Sequence, residues 1–312
     1  MKKSQSSQAS AASQTLRHFG EDRLIAELMR GAPLGKNVIA GAGDDCAVIG
    51  RRADREWLLL KTDCVIEGIH FEKSADPRRI GWKALARAMS DIAAMGGLPR
   101  HALVTIAASP DDSVARLKAI YSGLKKCAER FATGIVGGET ARSPDALFIA
   151  ITLTGIVEKN RCVLRSGGRA GDAVFVTGRL GGSIRGRHLD FAPRVFEARW
   201  LTENFRVRAM MDLSDGLGSD LPRLARASRC GFEIFEKKLP LNTRCTSENA
   251  LADGEDYELL FTIAPRDADS LEKTWRKKFP RLPLTRIGAL TRSHQPSTIN
   301  HQLFPSGHDH FA

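Results

Sequence analysis

Carboxylates in this chain recur beside glycines or at the ends of apolar runs. The densest case is MDLSDGLGSD at 211–220, which gathers Asp212, Asp215 and Asp220 around Gly216 and Gly218. Gly43-Asp44-Asp45 precedes an apolar run, Lys61-Thr62-Asp63 closes another, and Asp91 falls inside a helical pattern. Gly137-Gly138-Glu139-Thr140 reads as a turn. Each has a local explanation. Ser214 and Asp215 suit a helix start, where side-chain oxygens satisfy free N–H groups and a negative charge complements the helix dipole. Asp44 suits a turn, Asp63 a strand end, Asp91 a pair with Arg87 one helical turn away, and Glu139 a solvated turn. Together they also fit a second chemistry. Mg²⁺ takes hard oxygen ligands and is held by a few carboxylates plus substrate phosphates. Glycines beside the acids let backbone N–H groups approach phosphate closely. ATP repels carboxylates unless divalent cations lie between, so acidic, Gly-flanked turns in a basic protein suggest metal-bridged nucleotide chemistry. From these residues alone, capping and metal binding both stand.

The chain carries 47 Lys and Arg against 36 Asp and Glu, a formal charge of +11. That balance favours anionic partners. The basic excess is densest from Arg161 to Arg199, with no Lys/Arg run interleaved with aromatics, so nucleic acid is not expected. Other phosphate signatures fail. Gly31-Ala32-Pro33-Leu34-Gly35-Lys36-Asn37 is one residue short of a Walker A loop and ends in Asn, not Ser or Thr. No G-x-G-x-x-G follows a strand and opens a helix, and there is no G-x-S-x-G elbow. The six cysteines are scattered without a C-x-x-C pair, which argues against zinc or a disulfide framework and for a reducing cytoplasm. MKKSQSSQASAASQ lacks the apolar core of a signal peptide and reads as a disordered polar tail. No apolar run approaches the ~20 residues of a membrane span.

At 312 residues the chain suits about two domains. A short amphipathic helix is expected over 17–30, strands over 47–49 and 57–61, and a helix opened by Asp76-Pro77. That helix carries Trp82, Leu85, Met89 and Ile92 on one stripe, with Asp91 off it. A strand over 101–107, a helix over 112–131 and a strand over 148–157 complete the first half. The loop 158–169 is the expected boundary. Beyond it come a strand over 172–177, helices around 193–201 and 217–228, and a strand over 257–263. Strands and helices alternate in both halves, so each is α/β or α+β. The division is a tail at 1–16 and domains at 17–160 and 161–312.

GDDCAVI (43–49), TDCVIEGIHF (62–71), KALARAMSDIAAMGG (83–97), VGGETAR (136–142), RSGGRAGDAVFVTG (165–178), MDLSDGLGSDL (211–221) and GEDYELLFT (254–262) occur in that order. In this set, and in the ending GHDHF (307–311), residues 18–312 resemble bacterial thiamine-monophosphate kinases. The resemblance implies the two-domain fold of aminoimidazole ribonucleotide synthetase and a homodimer whose N-terminal domains pair, with ATP near that interface. It implies transfer of phosphate from ATP to thiamine monophosphate with several Mg²⁺ ions. By motif, Asp45, Thr62, Asp63, Asp91, Glu139, Asp212 and Asp215 become metal ligands. Tyr121, Gly138, Glu139, Arg165 and Ser214 become ATP contacts, and His70, Glu255 and Phe304 contacts to thiamine monophosphate. No residue is implied as a general base. Lys61 stands where the family usually has a small Ser, so its ammonium could replace or exclude one metal. Glu139 stands for the usual Asp, and the segment between Gly182 and Pro193 is short for the family. Two alternatives remain beside this reading: another ATP-dependent enzyme of the superfamily, and a catalytically silent nucleotide-binding paralogue.

Overall fold

This computed structural model describes residues 15–292; Phe304, the GHDHF ending and nearly all of the polar tail lie outside them. Two short helices, α1 (Leu16–Phe19) and α2 (Glu21–Leu28), replace the single helix expected over 17–30. Gly20, at φ 78° and ψ 150°, interrupts it.

The first sheet contains β1 (Val38–Ala40), β2 (Ala47–Ile49), β3 (Glu56–Ile66), β4 (Leu98–Ala108), β5 (Gly134–Arg142) and β6 (Phe148–Glu158), in the order β1-β2-β3-β6-β4-β5. Only β4 and β5 run parallel, joined over α4 (Val114–Arg130), as a parallel pair requires a crossover. The turn expected at Gly137–Thr140 is instead the middle of edge strand β5. A Cβ on Gly138, at φ 156°, would lie 1.8 Å from the Val104 carbonyl oxygen, so β5 pairs this closely with β4 only through glycine. GIVGGETAR has little of the β-branched alternation that marks a strand, which is why it reads as a turn.

Helix α3 (Pro77–Ala94) starts as expected. Pro77 occupies its first position, and the Asp76 carboxylate accepts the Arg78 N–H at 2.9 Å. It touches α4 through two glycines: a Cβ on Gly81 would sit 1.9 Å from the Ile120 carbonyl, and one on Gly123 1.8 Å from that of Arg78. The amphipathic stripe tells only half of its packing. Lys83, Ala86, Ser90 and Asp91, off the stripe, are buried too, because the second sheet covers that side.

That sheet is antiparallel, ordered β8-β10-β7-β11-β9, from β7 (Ala173–Thr177), β8 (Val207–Asp212), β9 (Gly231–Ile234), β10 (Leu259–Ile263) and β11 (Leu284–Thr291). Every residue of β7 and β10 is buried. Phe175 and Phe261 join a core shared with α3, α5 (Val195–Asn204) and α8 (Ala268–Lys278). Val174, Val176 and Leu260, on the other face, pack with Leu217, Leu221 and Leu224 of α6 (Leu217–Ala227), beside α7 (Ser247–Ala252). Among the described residues, no helix is long and apolar enough to cross a membrane.

Candidate metal and substrate site

Three elements deliver one carboxylate each to a single point. Asp45 precedes β2, Asp91 lies on the last turn of α3 and Asp212 ends β8; they are 2%, 7% and 3% exposed. One oxygen of each lies within 4.8 Å of the others. At an effective dielectric of 20, two like charges ~4 Å apart repel by about 4 kcal/mol. Burial, more than that repulsion, pushes Asp91 well above the usual carboxylate range and Asp212 up to about 7, with Asp45 adding to the shift of Asp212. Hard carboxylate oxygens converging from three elements, with burial and mutual repulsion opposing their charge, are a donor set that fits Mg²⁺.

Arg165 and Lys61 reach this cluster. Arg165 Nη2 donates to Asp45 Oδ1 at 2.8 Å, and its backbone N–H donates to Asp44 at 2.6 Å. Lys61 Nζ donates to Asp91 Oδ1 at 2.8 Å, taking the partner that local helix pairing assigned to Arg87. Arg87 instead faces Asp63 across 3.3 Å. Thr62 alternates to the opposite, exposed side of β3, and Glu139 is exposed on β5. Tyr121 on α4 is half-buried against the first core. Among the described residues, neither Asp63, Glu139 nor Asp215 joins the three-carboxylate cluster.

The helix begins at Leu217 as expected, but Ser214 and Asp215 do not cap it. Asp212 is a strand residue, and Gly216 precedes α6 with no side-chain cap. Asp215 forms an ion pair with Arg223, while its N–H donates to the buried Asp220 carboxylate at 3.0 Å. Ser214 and Leu213 receive the GEDYE loop: the Glu255 N–H donates to the Ser214 carbonyl at 2.7 Å, and that of Tyr257 to Leu213 at 2.8 Å. Glu255 and Tyr257 hold left-handed φ of 54° and 51°, a conformation non-glycine residues reach at a cost of about 1–3 kcal/mol.

Glu255 thereby faces His70 across a cavity of about 450 Å³, lined also by Phe71, Arg185 and His188. The sequence reading missed Lys83 and His188 here. Lys83, fully buried, donates to the His70 carbonyl at 2.6 Å and lies 2.7 Å from Glu255 Oε1 and from His188 Nδ1. Burial lowers its ammonium to about 8, against the opposing pull of Glu255. Burial raises Glu255, but the His188 hydrogen bond and the Lys83 charge outweigh it and hold the carboxyl down, at about 2. A signal was present. Lys83, Arg87 and Asp91 recur every fourth residue, a charged stripe along the helix.

Residues 43–157 match the N-terminal domain and 169–298 the C-terminal domain of AIR synthase related proteins. The chain is 38% identical over 269 residues to the thiamine-monophosphate kinase of Rhodopirellula baltica, covering 80% of this chain and 83% of that one. The chain belongs to the thiamine-monophosphate kinase family. A member of this family from Bacillus subtilis is 32% identical over 313 residues, covering 88% and 94% of the two chains. Thiamine-monophosphate kinases also share the fold: AaThiL complexed with AMPPCP and TMP superposes with a TM-score of 0.79 at 30% identity, covering 96% of this chain and 99% of that chain. The fold extends beyond this family, since a HypE–HypF complex gives a TM-score of 0.69 at 20% identity.

Proposed function

We propose that this protein transfers the terminal phosphoryl group of ATP to the phosphate of thiamine monophosphate, giving ADP and thiamine diphosphate. What carries this reading is the end-to-end likeness to a kinase solved with an ATP analogue and TMP. The site chemistry supports it. The nucleophile is a phosphate oxygen, mostly ionised at pH 7 because the second pKa of a phosphomonoester is about 6. No side chain need act as general base, and the work reduces to alignment and charge neutralisation.

Asp45, Asp91 and Asp212 would hold Mg²⁺, with Thr62, Asp63, Glu139 and Asp215 as further ligands around the phosphates. When bound, Mg²⁺ neutralises charge on the transferring phosphoryl group. Arg165, anchored on Asp45, and Gly138, Ser214 and Tyr121 would contact ATP. His70 and Glu255 grip thiamine monophosphate in the cavity, with Phe304 as the assigned aromatic cover. Thr62 and Glu139 lie on the open face of the first sheet, which also exposes Leu58, Leu60, Leu103 and Val136. Apolar surface beside site residues supports a homodimer pairing these faces and completing the nucleotide site. Six free thiols suit a reducing cytoplasm.

The test is incubation with Mg-ATP and thiamine monophosphate, followed by chromatography. Thiamine diphosphate is expected, and EDTA should abolish it. ATP binding without product would overturn the reading in favour of a silent paralogue.

A further inference from the structure

The three buried carboxylates already meet two cations of the chain itself. Arg165 lies 2.8 Å from Asp45, whose side chain is fully buried, and Lys61 lies 2.8 Å from Asp91, with side chains 24% and 10% exposed. Asp212 differs: it accepts a hydrogen bond from Ser90. Arg165 enters from beyond the first sheet, in the segment linking the two sheets. Lys61 comes from the inner face of β3, on the same side as Leu59 and Asp63, and ends against Oδ1 of Asp91, one of the three clustered carboxylates.

An ammonium has three donors and no acceptor, so Lys61 cannot ligate a metal while protonated. A compact point charge within hydrogen-bond distance of Asp91 repels a dication approaching the same oxygen and supplies part of the neutralisation that dication would bring. We infer that Lys61 is a built-in counter-ion of the cluster: its ammonium takes the place beside Asp91 of one divalent cation, so the chain binds one ion fewer than its carboxylates could hold. This rests on the metal-dependent kinase reading for its purpose. The arrangement orders the cations, with Asp91 neutralised in advance and Asp212 left for the metal that meets the phosphates.

The experiment counts Mn²⁺ bound to the nucleotide-free full chain by electron paramagnetic resonance, for the unaltered protein and for Lys61→Gln and Lys61→Ser. Melting is followed in EDTA and in Mg²⁺. One additional Mn²⁺ per chain, or binding at the cluster at least tenfold tighter, is expected in the variants. Their melting temperatures should fall in EDTA and recover more on adding Mg²⁺ than that of the unaltered protein rises. An unchanged count with affinity within threefold, or a melting loss that Mg²⁺ leaves in place, marks Lys61–Asp91 as a plain structural ion pair and overturns the inference. A second comparison needs no Lys61 variant. With Lys61 present, Asp212→Asn should weaken Mn²⁺ tenfold or more, and by a larger factor than Asp91→Asn does; the reverse order overturns the inference equally. Because none of these measurements uses thiamine monophosphate, failure of the turnover assay and failure of this inference are separate results.

Discussion

Lys83 is fully buried and yet offers a charge to three partners at once, the His70 carbonyl, His188 and Glu255. Lys83→Met would strip donors from the His70 carbonyl and the half-buried Glu255 carboxylate, each lost partner costing about 1–3 kcal/mol. The KM for thiamine monophosphate should rise tenfold or more, with kcat changing less; an unchanged KM would remove Lys83 from the substrate grip. The same residue sets a pH dependence. Its ammonium, lowered to about 8 by burial, is charged below that pH and lost above it, so KM should climb from pH 8 upward and flatten in Lys83→Met. The linked stability runs the other way. Folded-state pKa is depressed below the unfolded 10.5, so between 8 and 10.5 the unfolded chain binds more protons, and this group's contribution to stability rises with pH. At Glu139, one methylene longer than the Asp that the resemblance implies, Glu139→Asp should keep or raise turnover, while Glu139→Gln should lose most of it. A Gln variant with full activity would mean that Glu139 is no ligand.

Helix geometry decides what the acidic loop before α6 does. Asp215 does not cap α6, which starts behind Gly216. It pairs with Arg223 at partly exposed positions, an interaction worth about 0–1 kcal/mol. Its charge also presses on Asp220, whose carboxyl is pushed up to about 8 by burial first and by Asp215 next. Asp215→Asn should therefore leave the melting temperature in EDTA unchanged or higher while Mg²⁺-dependent turnover drops sharply. A lower melting temperature with activity intact would return Asp215 to a purely structural role. The contact of α3 with α4 gives a contrasting case. Gly123→Ala forces a Cβ to within 1.8 Å of the Arg78 carbonyl, an overpacking cost of roughly 1–3 kcal/mol or more. Melting should fall by several degrees, and activity with it, because α3 carries Asp91 and Lys83; an unchanged melting curve would show that the helices separate freely.

At the level of the whole molecule, α3 is the shared wall. One side packs on the first sheet and α4, the other on the second sheet, so the two family domains enclose one continuous core, and the carboxylates meet where they join. Among the described residues, nothing covers the first sheet's outer face in this way, and Leu58, Leu60, Leu103 and Val136 stay exposed. Light scattering should give twice the 34.1 kDa chain mass, and Leu103→Glu on that face should give single chains with much reduced turnover. A single-chain mass for the unaltered protein at micromolar concentration would rule out the homodimer.

Most elements that bind their own residues locally were legible. Asp76-Pro77 announces α3, and the 3.6-residue stripes of α3 and α4 and the apolar runs of β3, β4 and β6 need only neighbours along the chain. Ordered motifs carried the family, because glycines and acids at set distances along the chain are more specific than apolar periodicity. What stayed illegible depends on long-range partners. GIVGGETAR becomes a strand because β4 lies beside it, and Asp91 is buried because β8 closes over α3. Lys61 finds Asp91 rather than solvent only when β3 is laid against that helix. Spacing along a chain sets which side of an element a residue occupies; what stands opposite it, and hence whether a carboxylate caps, pairs or binds a metal, is decided by packing between elements distant in sequence.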